Sequence, residues 1–237
     1  MRPWKPLLEV RERCPDGFHQ RQHVVPFKRP EDVARGRSNG PVEGFHSCTA
    51  YRPSYDAWVH RLNIHGVSDE IPNTSGPSAA VLVPIYRENG AAHLIMIKRP
   101  MSMPTHAGDI AFPGGRPDPG DAGPVATALR EAQEEVGIIP GDVYLLGFLP
   151  AVDTVQFRLP VVPVVGFLDG VPDLHPSERE VDRLFRTPLD ELRDESGWRC
   201  EMWWGHPVWF FDLDGDVLWG ATAWMVRELL GLSLSCQ

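Results

Sequence analysis

Paired cysteines, positive charge and long apolar runs are all scarce in this 237-residue chain. The four cysteines, Cys14, Cys48, Cys200 and Cys236, lie far apart with no CxxC pair. That spacing suits neither a zinc ribbon nor a disulfide framework, so a reduced chain is expected. Lys and Arg number 23 against 32 Asp and Glu, a formal net charge of −9. Such a chain lacks the basic face that a sequence-independent nucleic-acid binder needs to neutralise phosphates. An anionic substrate must be met by a local, metal-assisted site, because the global field repels it. No apolar run approaches the ~18 residues of a membrane span. The opening MRPWKPLLEVRER offers only Leu7-Leu8 as an apolar core, too little for a signal peptide. The expectation is a soluble, cytoplasmic protein with no membrane and no nucleic-acid partner.

The length suits one full domain plus an extension. Residues 1–75 are interrupted by prolines from Pro3 to Pro72, and Arg35 to Gly40 reads as a loop. Only Ser54 to Leu62, with Tyr55, Trp58, Val59 and Leu62 at helical spacing, suggests a short helix there. His19 and His23 lie four apart but no third ligand accompanies them. The stretch reads as an irregular extension or lid, a small independent domain being the alternative.

From Ser78 the texture changes, and residues 76–237 read as an α/β layered domain. Ala79 to Tyr86 is a continuous apolar run of strand length, and a second run spans His93 to Ile97. Asn89-Gly90 between them is a hairpin signal, because both turn residues tolerate positive φ. Val143–Leu149, Val161–Leu168, Val208–Phe211 and Val217–Trp219 are further strand candidates, the last two flanking a second hairpin turn at Asp214-Gly215. A helix is expected from Pro124 or Val125 to Val136, with proline in its first turn and Gly137 as its stop. Thr187-Pro188-Leu189-Asp190 resembles a capping box, and a last helix is expected over Ala221–Leu232. Six of the eight tryptophans follow residue 197. They read first as core and sheet packing and second as a stacking platform.

Chemistry concentrates at Phe112-Pro113-Gly114-Gly115 and the helix that follows. Val125, Leu129, Ala132 and Val136 make one apolar stripe, and Glu131, Glu134 and Glu135 share a sector away from it. Arg130 can pair with Glu134, yet one cation does not neutralise three anions. A solvated acidic face is one reading. A site for Mg²⁺ or Mn²⁺ is the other, since such cations take clustered oxygen ligands. The double glycine favours the second, because glycine lets backbone approach an ion or phosphate closely.

The stretch GGRPDPGD…ALREAQEEVGI resembles the signature of the Nudix hydrolases, GxxxxxE…REUxEExGU with U aliphatic. Gly115 stands at the motif's glycine, Arg130 and Glu131 at its RE, Glu134 and Glu135 at its EE, Gly137 at its second glycine and Ile138 at the closing aliphatic. Asp121 occupies the first glutamate position, separated from Arg130 by eight residues rather than seven. Both departures are usual in the coenzyme A pyrophosphatase-like branch. The resemblance implies an α/β/α sandwich with a mixed sheet. It implies a metal-dependent hydrolase cleaving a nucleoside diphosphate linked to another moiety, with Mg²⁺ or Mn²⁺ held by Glu131, Glu134, Glu135 and the Gly114 carbonyl. Arg130 would orient the carboxylates, with Asp121 as its partner. One carboxylate would act as general base, its identity left open.

Further elements resemble the coenzyme A branch. In IMIKRPMSMPTHAGDIAFPGG, Arg99, Gly108 and Phe112–Gly115 match its upstream signature, while Ile97, Pro100 and Pro104 replace a threonine, a small residue and a second arginine. Downstream, Trp219–Ala223 resembles its WGATA element, and Glu180-Val181 with Pro188-Leu189 its EV…PL segment. Arg99, Gly115, Arg116 and His106 are then candidate substrate-binding residues, although His106 could instead pack or cap. Glu178 and Glu180 lie where relatives place another catalytic or metal-coordinating carboxylate, a solvated loop pair being the alternative. Coenzyme A or a derivative is the expected substrate. The missing arginine leaves an ADP-ribose or NADH pyrophosphatase, or a non-catalytic nucleotide sensor, as alternatives. Homodimers are common among relatives, so a homodimer is compatible.

Overall fold

Asn89 (φ 49) and Gly90 (φ 84) form a tight turn between two long strands, the conformation expected of that dipeptide. The computed structural model describes residues 61–74, 76–153 and 159–236, together with two short strands near the start. The expected helix at 54–62, the loop at 35–40, His19, His23, Cys14 and Cys48 lie wholly or mostly outside these residues. Contacts divide the chain into Met1–Asn63 and Ile64–Gln237. In the first unit β1 (Leu8–Glu9) pairs antiparallel with β2 (Val24–Val25).

The second unit is built on a mixed sheet. Its backbone is β3 (Ala79–Glu88), β4 (Ala91–Lys98), β7 (Tyr144–Phe148), β9 (Pro160–Leu168) and β10 (Arg183–Pro188), in the order β10-β4-β3-β9-β7. The β3–β9 pair is parallel and its neighbours are antiparallel. Leu82 to Tyr86 of β3 and Val161 to Leu168 of β9 are buried at consecutive positions, so these strands are covered on both faces. That is why they read as unbroken apolar runs rather than alternating ones. Two-residue strands extend the sheet: β5 (Ile110–Ala111) on β4, β6 (Gly114–Gly115) on β3 and β8 (Val152–Asp153) on β9.

Helix α1 (Pro124–Val136) packs on β3, β6 and β9. Pro124 opens it, and Gly137 at φ 77 closes it by donating its N–H to the Gln133 carbonyl at 3.0 Å. Short α2 (Leu189–Arg193) follows β10 directly. The expected capping box is corrected here: Pro188 precedes α2 with no side-chain cap, and Thr187 is buried inside the strand.

A second antiparallel sheet, β11 (Trp198–Trp203), β12 (His206–Leu213) and β13 (Asp216–Trp219), turns at Asp214-Gly215 and leads into α3 (Gly220–Leu230). Arg227 of α3 is fully buried, its guanidinium 3.5 Å from the Trp209 ring centroid and bonded to the Ser233 carbonyl. This turns the tail back across β12, where Trp209 Nε1 donates to the Leu234 carbonyl at 3.4 Å and Cys236 is disulfide-bonded to Cys200. The expectation of a fully reduced chain is thereby corrected; spacing alone could not show that the tail folds back over β11. Residues Ile64 to Thr74 lie within this unit, with His65 N–H on the Leu229 carbonyl and Ser68 paired with Phe148. Among the described residues no helix is long and apolar enough to cross a membrane.

Candidate active site

Gly114 and Gly115 pair with Val81 and Ala80 of β3, which brings the glycine backbone against α1 at Glu131 and Glu135. A Cβ on Gly114 would run into the backbone of Ala80 and Val81, so nothing larger fits there. A Cβ on Gly115 would lie 2.5 Å from the Glu131 carboxylate carbon, showing how closely that side chain lies against the glycine. The three helix carboxylates do not share one environment. Glu135 is 3% exposed, Glu131 is half-buried and Glu134 is exposed. This corrects the expectation that all three face away from the buried stripe: Glu135 joins Ala128, Leu129, Ala132 and Val136 inside, whereas Val125 is only half-buried. The reason is β6, whose Gly114 N–H donates to Glu135 Oε2 at 2.9 Å and so satisfies a carboxylate in the interior.

Burial pushes the Glu135 carboxyl up to about 7; the Gly114 N–H and Arg99 oppose the rise, while the charges of Glu131 and Glu180 reinforce it. Burial also raises Glu131, against the pull of Arg130, with Glu134 and Glu180 adding to the rise. Arg130 binds Asp121 through two contacts, Nε to Oδ1 at 3.2 Å and Nη2 to Oδ2 at 3.1 Å. It also lies 3.0 Å from Glu131 Oε1 and 3.2 Å from Glu134 Oε2, and donates to the Arg116 carbonyl at 3.0 Å. Burial would raise Asp121, but the Arg130 hydrogen bonds and the Asp118 and Thr127 donors hold it below the ordinary carboxylate range. The Arg116 side chain itself is exposed.

Two loops complete the site. Ser177 N–H binds the Glu135 carbonyl at 2.8 Å and His175 N–H the Val136 carbonyl at 2.9 Å, anchoring the loop that carries Glu180 to the end of α1. Glu180 is half-buried and acts electrostatically on both Glu131 and Glu135, while Glu178 is exposed. The second loop runs from Arg99 to Asp109. Arg99 Nη1 stands 3.6 Å from Glu135 Oε1. Gly108 and Asp109 together oppose Arg99 in a bulge, with Gly108 at φ 76 supplying the left-handed position. His106 faces Asp109, Nδ1 to Oδ2 at 3.0 Å, and Trp219 Nε1 donates to the other carboxylate oxygen at 3.1 Å. The structure thus gathers Arg99, Gly114, Gly115, Arg130, Glu131, Glu135 and Glu180, and sets Glu134, Glu178 and Arg116 outward. Asp109 is the residue that the sequence did not single out; its partner Trp219 opens the WGATA-like element, but the two lie 110 positions apart and share no local signal.

Among the described residues no three His, Cys, Asp or Glu side chains already converge into a finished ligand cage. The donor chemistry nonetheless fits a hard divalent cation. Glu131 and Glu135 are all-oxygen donors whose anionic forms are disfavoured by burial and by neighbouring carboxylates, Glu180 among them, a cost that a cation would offset.

A family model described as NUDIX domain matches residues 76–205. A protein named "Uncharacterized Nudix hydrolase NudL" from Pectobacterium atrosepticum is 48% identical over 157 residues, covering 64% of this chain and 80% of that protein. The protein of the same name from Citrobacter koseri is 41% identical over 155 residues with the same coverage. Among solved structures, a MutT/nudix family protein from Enterococcus faecalis aligns with a TM-score of 0.45 at 17% identity, covering 76% of this chain and 68% of that one. RenU, a Nudix hydrolase from M. smegmatis, aligns with a TM-score of 0.43 at 20% identity, covering 54% and 84%.

Proposed function

The chain belongs to the NUDIX domain family, and from that premise we propose that it hydrolyses the diphosphate bond of coenzyme A or a coenzyme A derivative. As a Nudix hydrolase it acts on nucleoside diphosphate derivatives, and the family generally uses divalent metal ions. The finer assignment rests on one observation. The segment from Arg99 to Gly115, which carries the match to the coenzyme A branch, folds against the helix carboxylates, with Arg99 3.6 Å from Glu135. We take residues 76–237 as the catalytic domain, with the stretch from Ile64 packed within it.

In this reading Arg99 binds the substrate diphosphate, and Gly115, whose missing Cβ lets the Glu131 carboxylate lie against the glycine backbone, lines the site beside it. Glu131, Glu134, Glu135 and the Gly114 carbonyl are the assigned ligands of Mg²⁺ or Mn²⁺. Such a cation supplies charge neutralisation of the diphosphate oxygens and activation of a water molecule. Arg130 holds Glu131 in place while anchored on Asp121. A carboxylate not engaged by the cation takes the proton of the attacking water, and Glu180, whose charge acts on both Glu131 and Glu135, is placed for it.

Pro104 stands where the coenzyme A signature has its second arginine, which favours ADP-ribose or NADH as the second reading. A product-resolved screen with Mg²⁺ and with Mn²⁺ separates them, using coenzyme A, acyl-coenzyme A, ADP-ribose and NADH, with Glu135→Gln as control. Release of 4′-phosphopantetheine and 3′,5′-ADP is the expected result. AMP from ADP-ribose or NADH, without coenzyme A cleavage, would move the substrate to the second reading. Tight nucleotide binding without turnover would make the protein a sensor.

A further inference from the structure

The reaction outlined above leaves the aromatic residues of the second sheet without a task. In the β11–β12–β13 register, Arg199 opposes Phe210, Trp203 opposes His206, and Phe210 opposes Trp219, which places Trp203, Phe210 and Trp219 on one face. Phe210 and Trp219 are stacked at 4° with centroids 6.3 Å apart, and Trp203 leans on both at 5.5 and 5.8 Å. The Arg199 guanidinium lies 4.8 Å over Phe210 and covers that ring. Trp203 Nε1 is fixed on Glu201 Oε2 at 3.0 Å, and Trp219 Nε1 on Asp109. Beyond them Trp204 sits at the turn between β11 and β12 in a left-handed conformation (φ 49), its side edge-on to Trp203 at 6.1 Å and 89% exposed. An indole so exposed adds little to any core, and its ring faces are open to solvent.

This aromatic row is continuous with the active site. Asp109, which holds the Trp219 indole, opposes Arg99 across the Gly108 bulge, its carbonyl accepting from Arg99 N–H at 3.0 Å. Opposed residues of an antiparallel pair project to the same side, with Cβ atoms about 5 Å apart. Arg99 reaches Glu135 from that side. Trp219, the inner end of the row, is therefore joined through Asp109 to the strand position that carries Arg99.

We propose that Trp203 and Trp204, backed by Phe210 and Trp219, form the stacking platform for the heteroaromatic base of the nucleoside diphosphate substrate. The placement of the diphosphate beside Arg99 and Glu135 rests on the function proposed above. Stacking suits this surface: it uses ring faces rather than hydrogen-bond donors, and both indole N–H groups in the row's half-buried part are already committed.

The test compares AMP with ribose 5-phosphate, which share phosphate and sugar and differ only by the base. Binding to the full chain is measured by calorimetry and tryptophan fluorescence with Mg²⁺ present. AMP is expected to bind at least about fivefold more tightly and to quench the fluorescence, as base–indole stacking implies. Trp204→Ala, at an exposed turn, should abolish that preference without changing the melting temperature, and Trp204→Phe should retain it. Equal affinity for the two probes, no binding of either, or an AMP preference that survives Trp204→Ala would overturn the platform. An AMP preference lost in Trp204→Ala, in a protein that turns over no diphosphate, would leave the platform standing and remove the hydrolase reading. Turnover with a KM unchanged by Trp204→Ala would do the reverse.

Discussion

Replacing Glu135 with glutamine should stabilise the metal-free protein at alkaline pH while abolishing turnover. Glu135 is 3% exposed, and its carboxyl rises from 4.5 to about 7, chiefly through burial. A folded value above the unfolded one means that ionisation favours unfolding. The stability associated with the neutral form is complete below about pH 4.5 and is lost as the pH climbs through about 7. The interval is worth about 3 kcal/mol at pH 8. Glutamine cannot ionise, keeps an oxygen to accept from the Gly114 N–H, and should recover most of that energy. For a chain of this length it corresponds to a rise of about 6–12 °C in melting temperature. Thermal unfolding with the metal chelated, at pH 8 and at pH 4.5, provides the assay. The variant should melt higher at pH 8 and match the wild type at pH 4.5. Adding Mg²⁺ should raise the wild-type transition more than the variant's, and diphosphate hydrolysis should fall at least about a hundredfold. A variant less stable at pH 8, or one displaced equally at both pH values, would refute the assignment of Glu135 as a buried, electrostatically strained carboxylate.

Neighbouring glycines should respond differently to alanine. Gly115→Ala meets only the flexible end of Glu131, so the fold should survive while activity drops, whereas Gly114→Ala meets the backbone of β3 and should cost about 1–3 kcal/mol in denaturant unfolding. Arg130→Lys loses the two-point grip on Asp121, and melting curves should show about 1–3 kcal/mol of lost stability alongside reduced turnover. Cys200→Ser should lower stability by about 3–4 kcal/mol under oxidising conditions and leave it unchanged in reductant, because the bond closes a loop spanning 36 positions.

The parts of the fold that could be read along the chain are those decided within a few residues. Asn89-Gly90 and Asp214-Gly215 adopt positive φ whatever surrounds them, so both hairpins were visible. Pro124 and Gly137 bracket α1 because each constrains its own backbone. The unbroken apolar runs of β3 and β9 announced strands covered on both faces. The motif residues were equally plain as letters. Their environments were not. Glu131, Glu134 and Glu135 look alike in the sequence, and only the passage of Gly114-Gly115 over α1 makes one buried, one half-buried and one exposed. Thr187 looked like a cap until pairing with Leu94 drew it into β10. The Asp109–Trp219 bond and the Cys200–Cys236 bridge join positions that no local pattern relates. Backbone preference acts over one or two residues and so is written into the sequence itself. Desolvation and charge proximity depend on which distant segments come together, and these set the ionisation of Glu135 and the position of Arg99 beside it.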